Sequence, residues 1–418
     1  MLTRGQAPVA MAPSQIDFRP FLSLNAGYDS GLNGVSVDPN GNPTDVVSTT
    51  VEATAGVSGF HSWKHTTLGL DYRAAFRHYG SQSYYDGTDQ LLLFSLTHQI
   101  TRHVTFVLRE DAGLYSQNYA APSLLQTVPF DPSTAYVPTA DFFDNRTMYF
   151  STQADLQVEL SRRLSFDVGA DGFMTRRRST ALYGVSGAGA RGDLQYRLSR
   201  RTTIGVGYTY THYSFNGIFS STDLHTLVGS YAVRLSRTVE LSATGGATRF
   251  ENKFVQDVPI DPAIAAVICV PGQPCGSTQV TYGVSYIPSV TARLSKVVPR
   301  GVVFVSGGRS VTPGNGLFLT SKSTVIGGGY SYTGLKKWGV NTSLDYSTAK
   351  SVGNVIGNYS NIVASASISR QLFRATHGIL TFSAREYGSS DFKNYNKWAY
   401  SIRLGLGFTP GDIPIRLW

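Results

Sequence analysis

Residues 150–171 read FSTQADLQVELSRRLSFDVGAD, and the fold turns on this stretch. On the way into its middle, Phe150, Ala154, Leu156, Val158 and Leu160 share one face of an extended chain, while Ser151, Gln153, Asp155, Gln157 and Glu159 share the other. On the way out, Leu164, Phe166, Val168 and Ala170 alternate with Ser165, Asp167, Gly169 and Asp171. Successive side chains of a strand point to opposite sides, so strict alternation reports two environments, one oily and one wet. Between the two runs sits a short basic turn, Leu160-Ser-Arg-Arg163.

The turn recurs as Leu198-Ser-Arg-Arg201, Leu235-Ser-Arg-Thr238 and Leu294-Ser-Lys296. Looser versions stand at Ser62–His65, Thr101–His103, Gly334–Lys337 and Arg374–His377, and the two chain ends supply a ninth meeting point. Connections alternate between short and long, and the runs of about ten to fourteen residues exceed the usual ~5–6 of soluble strands. Tyr28, Trp63, Tyr196, Tyr231, Trp338, Trp398 and Phe408 fall near strand ends on the apolar face, where a membrane barrel carries its aromatic girdles. The expectation is an all-β fold, a transmembrane antiparallel up-and-down β-barrel of about 18 strands over residues 17–408. Sixteen strands is the alternative, because 301–333 is glycine-rich and alternates poorly. Residues 409–418 form a C-terminal tail.

Composition agrees: 418 residues with 43 glycines, 41% hydrophobic and 15% charged, show no linker that would divide them. The longest apolar run, Ala263–Val270, falls far short of the ~18 residues of a spanning helix, so such a chain enters a bilayer only as a closed barrel. Residues 1–16 lack the apolar core of an export signal, while Ala10-Met-Ala12 has the form of a cleavage site. The segment is expected to be the remnant of a signal peptide.

Charge is distributed by position. Lys64, Arg102, Arg162, Arg163, Arg200, Arg201, Arg237, Lys296, Arg300, Lys336, Lys337 and Arg374 lie in the expected short turns; without these 12 the formal charge of +9 becomes −3. A rim of that kind faces anionic phospholipid headgroups, or simply keeps the turns soluble. Nucleic acid is not an expected partner, since no basic and aromatic platform recurs on one face.

The basic turns, long opposite loops, amphipathic strands and aromatic end at Trp418 resemble a bacterial outer-membrane β-barrel porin over essentially the whole chain. The opening strand Arg19–Asp29, RPFLSLNAGYD, is also similar to that of loosely defined β-barrel porins, some of which accompany exopolysaccharide export. Pro410 and Pro414 interrupt the stretch before Trp418, so either Phe408 ends the last strand or the tail folds back. The resemblance implies that the third external loop, about 116–146, folds inward as a constriction carrying Asp131, Asp141, Phe142, Phe143 and Asp144; the plainer reading leaves it outside.

Another external loop, about 251–277, holds Cys269 and Cys275 around a Pro-Gly turn, and a disulfide is expected in an oxidising exterior. No metal is expected: Asp38–Asp45 gathers oxygen donors without a calcium loop's ligand spacing and reads as an Asn-Gly turn. On the wet face, Asp155, Glu159, Asp167, Asp171 and Asp193, with Arg191 and Arg197 among them, come from neighbouring strands. Arg293, Arg385 and Arg403 come from later strands and Arg73 from an early one. Opposed acidic and basic walls would impose a transverse field on solutes; alternatively these charges pair locally and keep the lumen hydrated. Tyr115, Tyr149, Phe173, Tyr213 and Phe250 lie toward the external ends of that face, where they stack on sugars or cover the inner wall.

None of the eight histidines falls on the lumen face, and no nucleophile elbow, zinc-protease motif or phosphate loop is present, so no enzyme and no cofactor are expected. The expected function is a passive outer-membrane channel for small hydrophilic solutes, with membrane lipids around it. A secretion channel for an exported polysaccharide, or a non-conducting structural or adhesive surface barrel, is the alternative.

Overall fold

The computed structural model describes residues 18–30, 36–37, 43–44, 47–81, 83, 86–115, 147–178, 183–258, 277–313, 319–335, 337–352, 358–373, 375–388 and 397–409. Its strands are β1 (Arg19–Asp29), β2 (Ser36–Val37), β3 (Pro43–Thr44), β4 (Ser48–Ser62), β5 (Thr66–Tyr79), β6 (Gly87–Thr101), β7 (Val104–Tyr115), β8 (Thr147–Glu159), β9 (Leu164–Arg177) and β10 (Val185–Arg197). They continue as β11 (Thr202–Phe215), β12 (Ser220–Arg234), β13 (Val239–Val258), β14 (Ser277–Val298), β15 (Gly301–Thr312), β16 (Ser321–Leu335), β17 (Trp338–Ser351), β18 (Asn358–Gln371), β19 (Thr376–Gly388) and β20 (Lys397–Phe408). β2 and β3 make a two-stranded ladder in the first external connection, with β3 inside the Asp38–Asp45 segment.

The other eighteen strands form one antiparallel sheet that β1 closes by pairing with both β4 and β20. Phe408 ends the last strand, opposite Leu22. Eighteen strands about 4.8 Å apart and tilted by about 40° close on a backbone radius of about 18 Å, too wide for side chains to fill. The sixteen-strand alternative fails because the glycines of 301–333 sit opposite bulky partners in register. Phe304 faces Gly329, Val305 faces Gly328 and Ile326 faces Gly307, so the alternation lost along each strand is kept across the pair.

The outside is apolar. All seven expected girdle aromatics are 39–48% exposed, and long outward rows such as Leu22, Leu24 and Val51 are exposed as well. Asp29, Thr175, Thr222, Thr320 and Ser321 are fully buried instead, so the molecule is inside-out relative to a soluble protein. Among the described residues, no helix is long and apolar enough to cross a membrane.

Four of the short turns share one construction, whereas the expected turn Leu294-Ser-Lys296 lies inside β14 and the chain turns at Pro299-Arg300. The Ser161 hydroxyl accepts the N–H groups of Arg163 and Leu164 at 3.2 and 3.0 Å, and that of Ser199 accepts Arg201 N–H at 3.1 Å. Ser236 accepts Thr238 and Val239 N–H, both at 3.1 Å, and Thr101 plays the same part before His103 and Val104. A hydroxyl filling the turn satisfies the backbone donors and leaves the following basic side chains to project outward.

β13 and β14 reach 20 and 22 residues, so the external loop expected from 251 begins only after Val258. They pair along their whole length, but β14 pairs with β15 only from Val290↔Arg309 to Val298↔Gly301. Among the described residues, Ser277–Ser289 of β14 therefore has no ladder partner on that side. β15 and β16 stay paired to Thr312↔Ser321 and β16 stays paired with β17 to Ser321↔Ser351, so the sheet parts only at the β14–β15 seam.

Candidate functional site: the barrel lumen

Pairing registers define the inner face. One row runs Asp155, Gly169, Arg191, Thr209, Thr226, Thr248 and Ile287 across β8–β14. Asp167 and Asp193 oppose each other directly on β9 and β10, and Gly189 faces Asp171. Asp155, Asp167, Asp171 and Asp193 thus gather around the Arg191 guanidinium, which pairs with Asp155 across the intervening strand, whereas Glu159 stands exposed at the turn end of β8, opposite Ser165. Gly169 makes that crossing possible: a Cβ there would collide with Asp155 Oδ1 and stand 3.1 Å from Arg191 Nε.

A second charged feature lines β20, β1, β4, β5 and β6. Asp29, Arg403, Glu52, Arg77 and Asp89 alternate in sign, with successive contacts of 3.3, 3.2, 2.7 and 3.2 Å. The Arg77 and Asp29 side chains are only 3% and 0% exposed, so each charge depends on its neighbours for the solvation it has lost. Arg403 crosses β1 over Gly27, where a Cβ would sit 2.8 Å from Arg403 Cγ. Asp29, Glu52, Arg77 and Asp89 escaped the sequence reading. Arg77 could have been found from Arg73, four residues away on the same face of β5, but the full run joins residues as far apart in sequence as Asp29 and Arg403, separated by 374 positions.

The remaining expected basic residues are engaged where they stand. Arg73 donates to both oxygens of Asp71 at 2.8 and 2.7 Å and lies over the Phe21 ring. Arg293 stacks on Phe304 at 4.8 Å from its centroid, and Arg385 lies inward on β19 opposite Ala399, which is 2% exposed. Asp131, Asp141, Phe142, Phe143, Asp144, Cys269 and Cys275 lie outside the described residues.

The lumen also holds an element no sequence feature announced. Beyond Arg309 the β15–β16 hairpin slips inside the wall and packs on the inner faces of β10–β14. Val311 and Leu319 join Val185, Tyr213, Phe215, Leu224, Phe250 and Ile287 in one apolar cluster. The Lys322 ammonium lies 6.0 Å from the Phe250 centroid. Val311 and Lys322 are nominally outward by register, and they meet an inner face because the hairpin is displaced by one layer. A hydroxyl relay pins its end: Tyr213 donates to Thr320 at 3.3 Å, Thr320 to Thr222 at 2.7 Å and Thr222 to Asn252 at 2.9 Å. This direction gives each hydroxyl proton one acceptor. Tyr213 and Phe250, which were open to a sugar-stacking reading, are 0% and 1% exposed beneath this hairpin, and Tyr149 is 6% exposed.

Histidines sit elsewhere. His212 pairs with Asp223 at 2.8 Å and His225 meets the Tyr208 hydroxyl at 2.8 Å, all outward by register. Among the described residues, no group of three His, Cys, Asp or Glu side chains is arranged to hold a metal.

No protein-family model and no curated protein matches the sequence. Solved structures overlap with it at low identity. OpdQ of Pseudomonas aeruginosa superposes with a TM-score of 0.42 and 10% identity, covering 96% of this chain and 100% of its own. A BenF-like porin from Pseudomonas fluorescens Pf-5 gives 0.44 and 11%, covering 94% and 98%. The open form of the ferric-catecholate import receptor Fiu of E. coli K12 gives 0.40 and 10%, covering 93% and 81%.

Proposed function

We propose that the protein is an outer-membrane channel through which small hydrophilic solutes diffuse passively. One observation carries the reading: a closed eighteen-stranded barrel, apolar outside, turns rows of Asp, Arg, Thr and Ser inward around a bore too wide for side chains to fill. The tucked β15–β16 hairpin narrows that bore from the β10–β14 wall. The acidic cluster around Arg191 and the ion chain from Asp29 to Asp89 supply fixed charges that solutes pass. The inner-wall aromatics Tyr213 and Phe250 are packed under protein, which disfavours a stacking track for a polysaccharide.

Single-channel recording in a planar bilayer tests this directly. The purified chain should give steady ohmic steps, with conductance proportional to bulk salt. Absence of conductance at every voltage would overturn the reading in favour of a closed surface barrel.

A further inference from the structure

The short turns carry a feature that solubility does not require. The chain has 27 acidic residues, yet none stands in these turns, and the projecting charges are all of one sign. Arg162, Arg163, Arg200, Arg201, Arg237 and Arg300 occupy four consecutive turns between β8 and β15. All six are exposed and, among the described residues, none is in an ion pair. Glu240, the nearest carboxylate at the third turn, is already held by Arg234 at 2.7 Å.

Just beneath these cations lies apolar surface. Leu160, Leu198 and Leu235 end the incoming strands on the outward face and are 59%, 51% and 55% exposed. Tyr196 and Tyr231 stand on the same face one and two positions further in, at 39% and 44%. Reading away from the barrel's middle, the surface passes from aliphatic to tyrosine to leucine to guanidinium. That order matches a phospholipid from acyl chain through glycerol to phosphate. Successive turns are two strands, or about 12 Å, apart along the rim, so each meets its own headgroup. The Ser hydroxyl at the base of each Leu-Ser-Arg turn fixes the backbone, which lowers the ordering cost of holding the arginines there.

We propose that this arc of basic turns is a binding surface for the phosphate headgroups of anionic phospholipids in the surrounding leaflet. The inference requires the barrel to lie in a membrane and is independent of whether it conducts.

The test is native mass spectrometry of the full chain released from nanodiscs containing equal amounts of phosphatidylglycerol and phosphatidylcholine. The wild-type protein should retain phosphatidylglycerol in roughly tenfold preference, and a variant combining R162Q, R163Q, R200Q and R201Q should fall to about twofold. Heat-shifted migration on gels verifies that the variant barrel is folded. Equal retention of the two lipids by the wild type, or an unchanged preference in the folded variant, overturns the proposal. Soluble polyglutamate that displaces the lipid at matched charge also overturns it, assigning the arc to an acidic protein partner.

Discussion

At Gly169 a side chain is excluded by an ion pair rather than by the backbone. Arg191 and Asp155 stand on strands that are not neighbours, with side chains 18% and 5% exposed, and their contact passes over β9 at Gly169, which has no Cβ to block it. Removing one partner's access strands a largely desolvated charge, which costs far more than losing an exposed pair such as Arg234–Glu240, at 47% and 40% exposure. Gly169→Val should therefore lower the urea-unfolding free energy by about 2–4 kcal/mol. Gly245→Ala, whose added methyl meets nothing within 4 Å, should stay within about 0.5 kcal/mol. Similar behaviour of the two variants in the same titration would show that Gly169 serves no crossing.

Among the elements, the β15–β16 hairpin is the one whose position differs from its register. Its seat combines an apolar cluster with a three-bond hydroxyl relay, and burying Leu319 alone is worth about 1.5–3 kcal/mol. Leu319→Glu places a charge in that cluster and should expel the hairpin end, raising single-channel conductance. The complementary experiment pairs Thr222→Cys with Thr320→Cys. The two hydroxyl oxygens are 2.7 Å apart, so a disulfide should form under mild oxidation and leave conductance at the wild-type value. An unchanged current in the Leu319→Glu channel would place the narrowest point elsewhere.

Taken as a whole molecule, the barrel sets an acid-rich patch against chains of alternating sign. The β20–β6 ion chain and the Arg73–Asp71 pair alternate in sign, whereas Asp155, Asp167, Asp171 and Asp193 gather four carboxylates around Arg191. The lumen should accordingly prefer cations. Under a tenfold salt gradient, the double variant Asp167→Asn with Asp193→Asn should shift the reversal potential toward zero, with the permeability ratio falling about twofold. A reversal potential insensitive to both substitutions would remove the cluster from the conduction path.

Period-two alternation, repeated Leu-Ser-Arg turns and outward aromatics determined a closed barrel of about eighteen strands, with sixteen left open until the β15–β16 register, and the inward face of Asp155, Asp167, Arg191 and Asp193. These follow from local geometry, because a strand's two faces are fixed by residue parity alone. Parity assigns neither height nor neighbour. Hence the sequence left open whether Arg403 and Arg73 face solutes or pair locally, and it gave no sign of Asp29, Glu52, Arg77 and Asp89 as one chain. Nor did it foretell the tucked hairpin, which depends on β15 parting from β14 at Arg309 and on Thr320 meeting Thr222, 98 residues away. Such contacts exist only once the sheet has closed, since closure brings distant strands to one wall and lets glycine gaps and apolar patches find their partners.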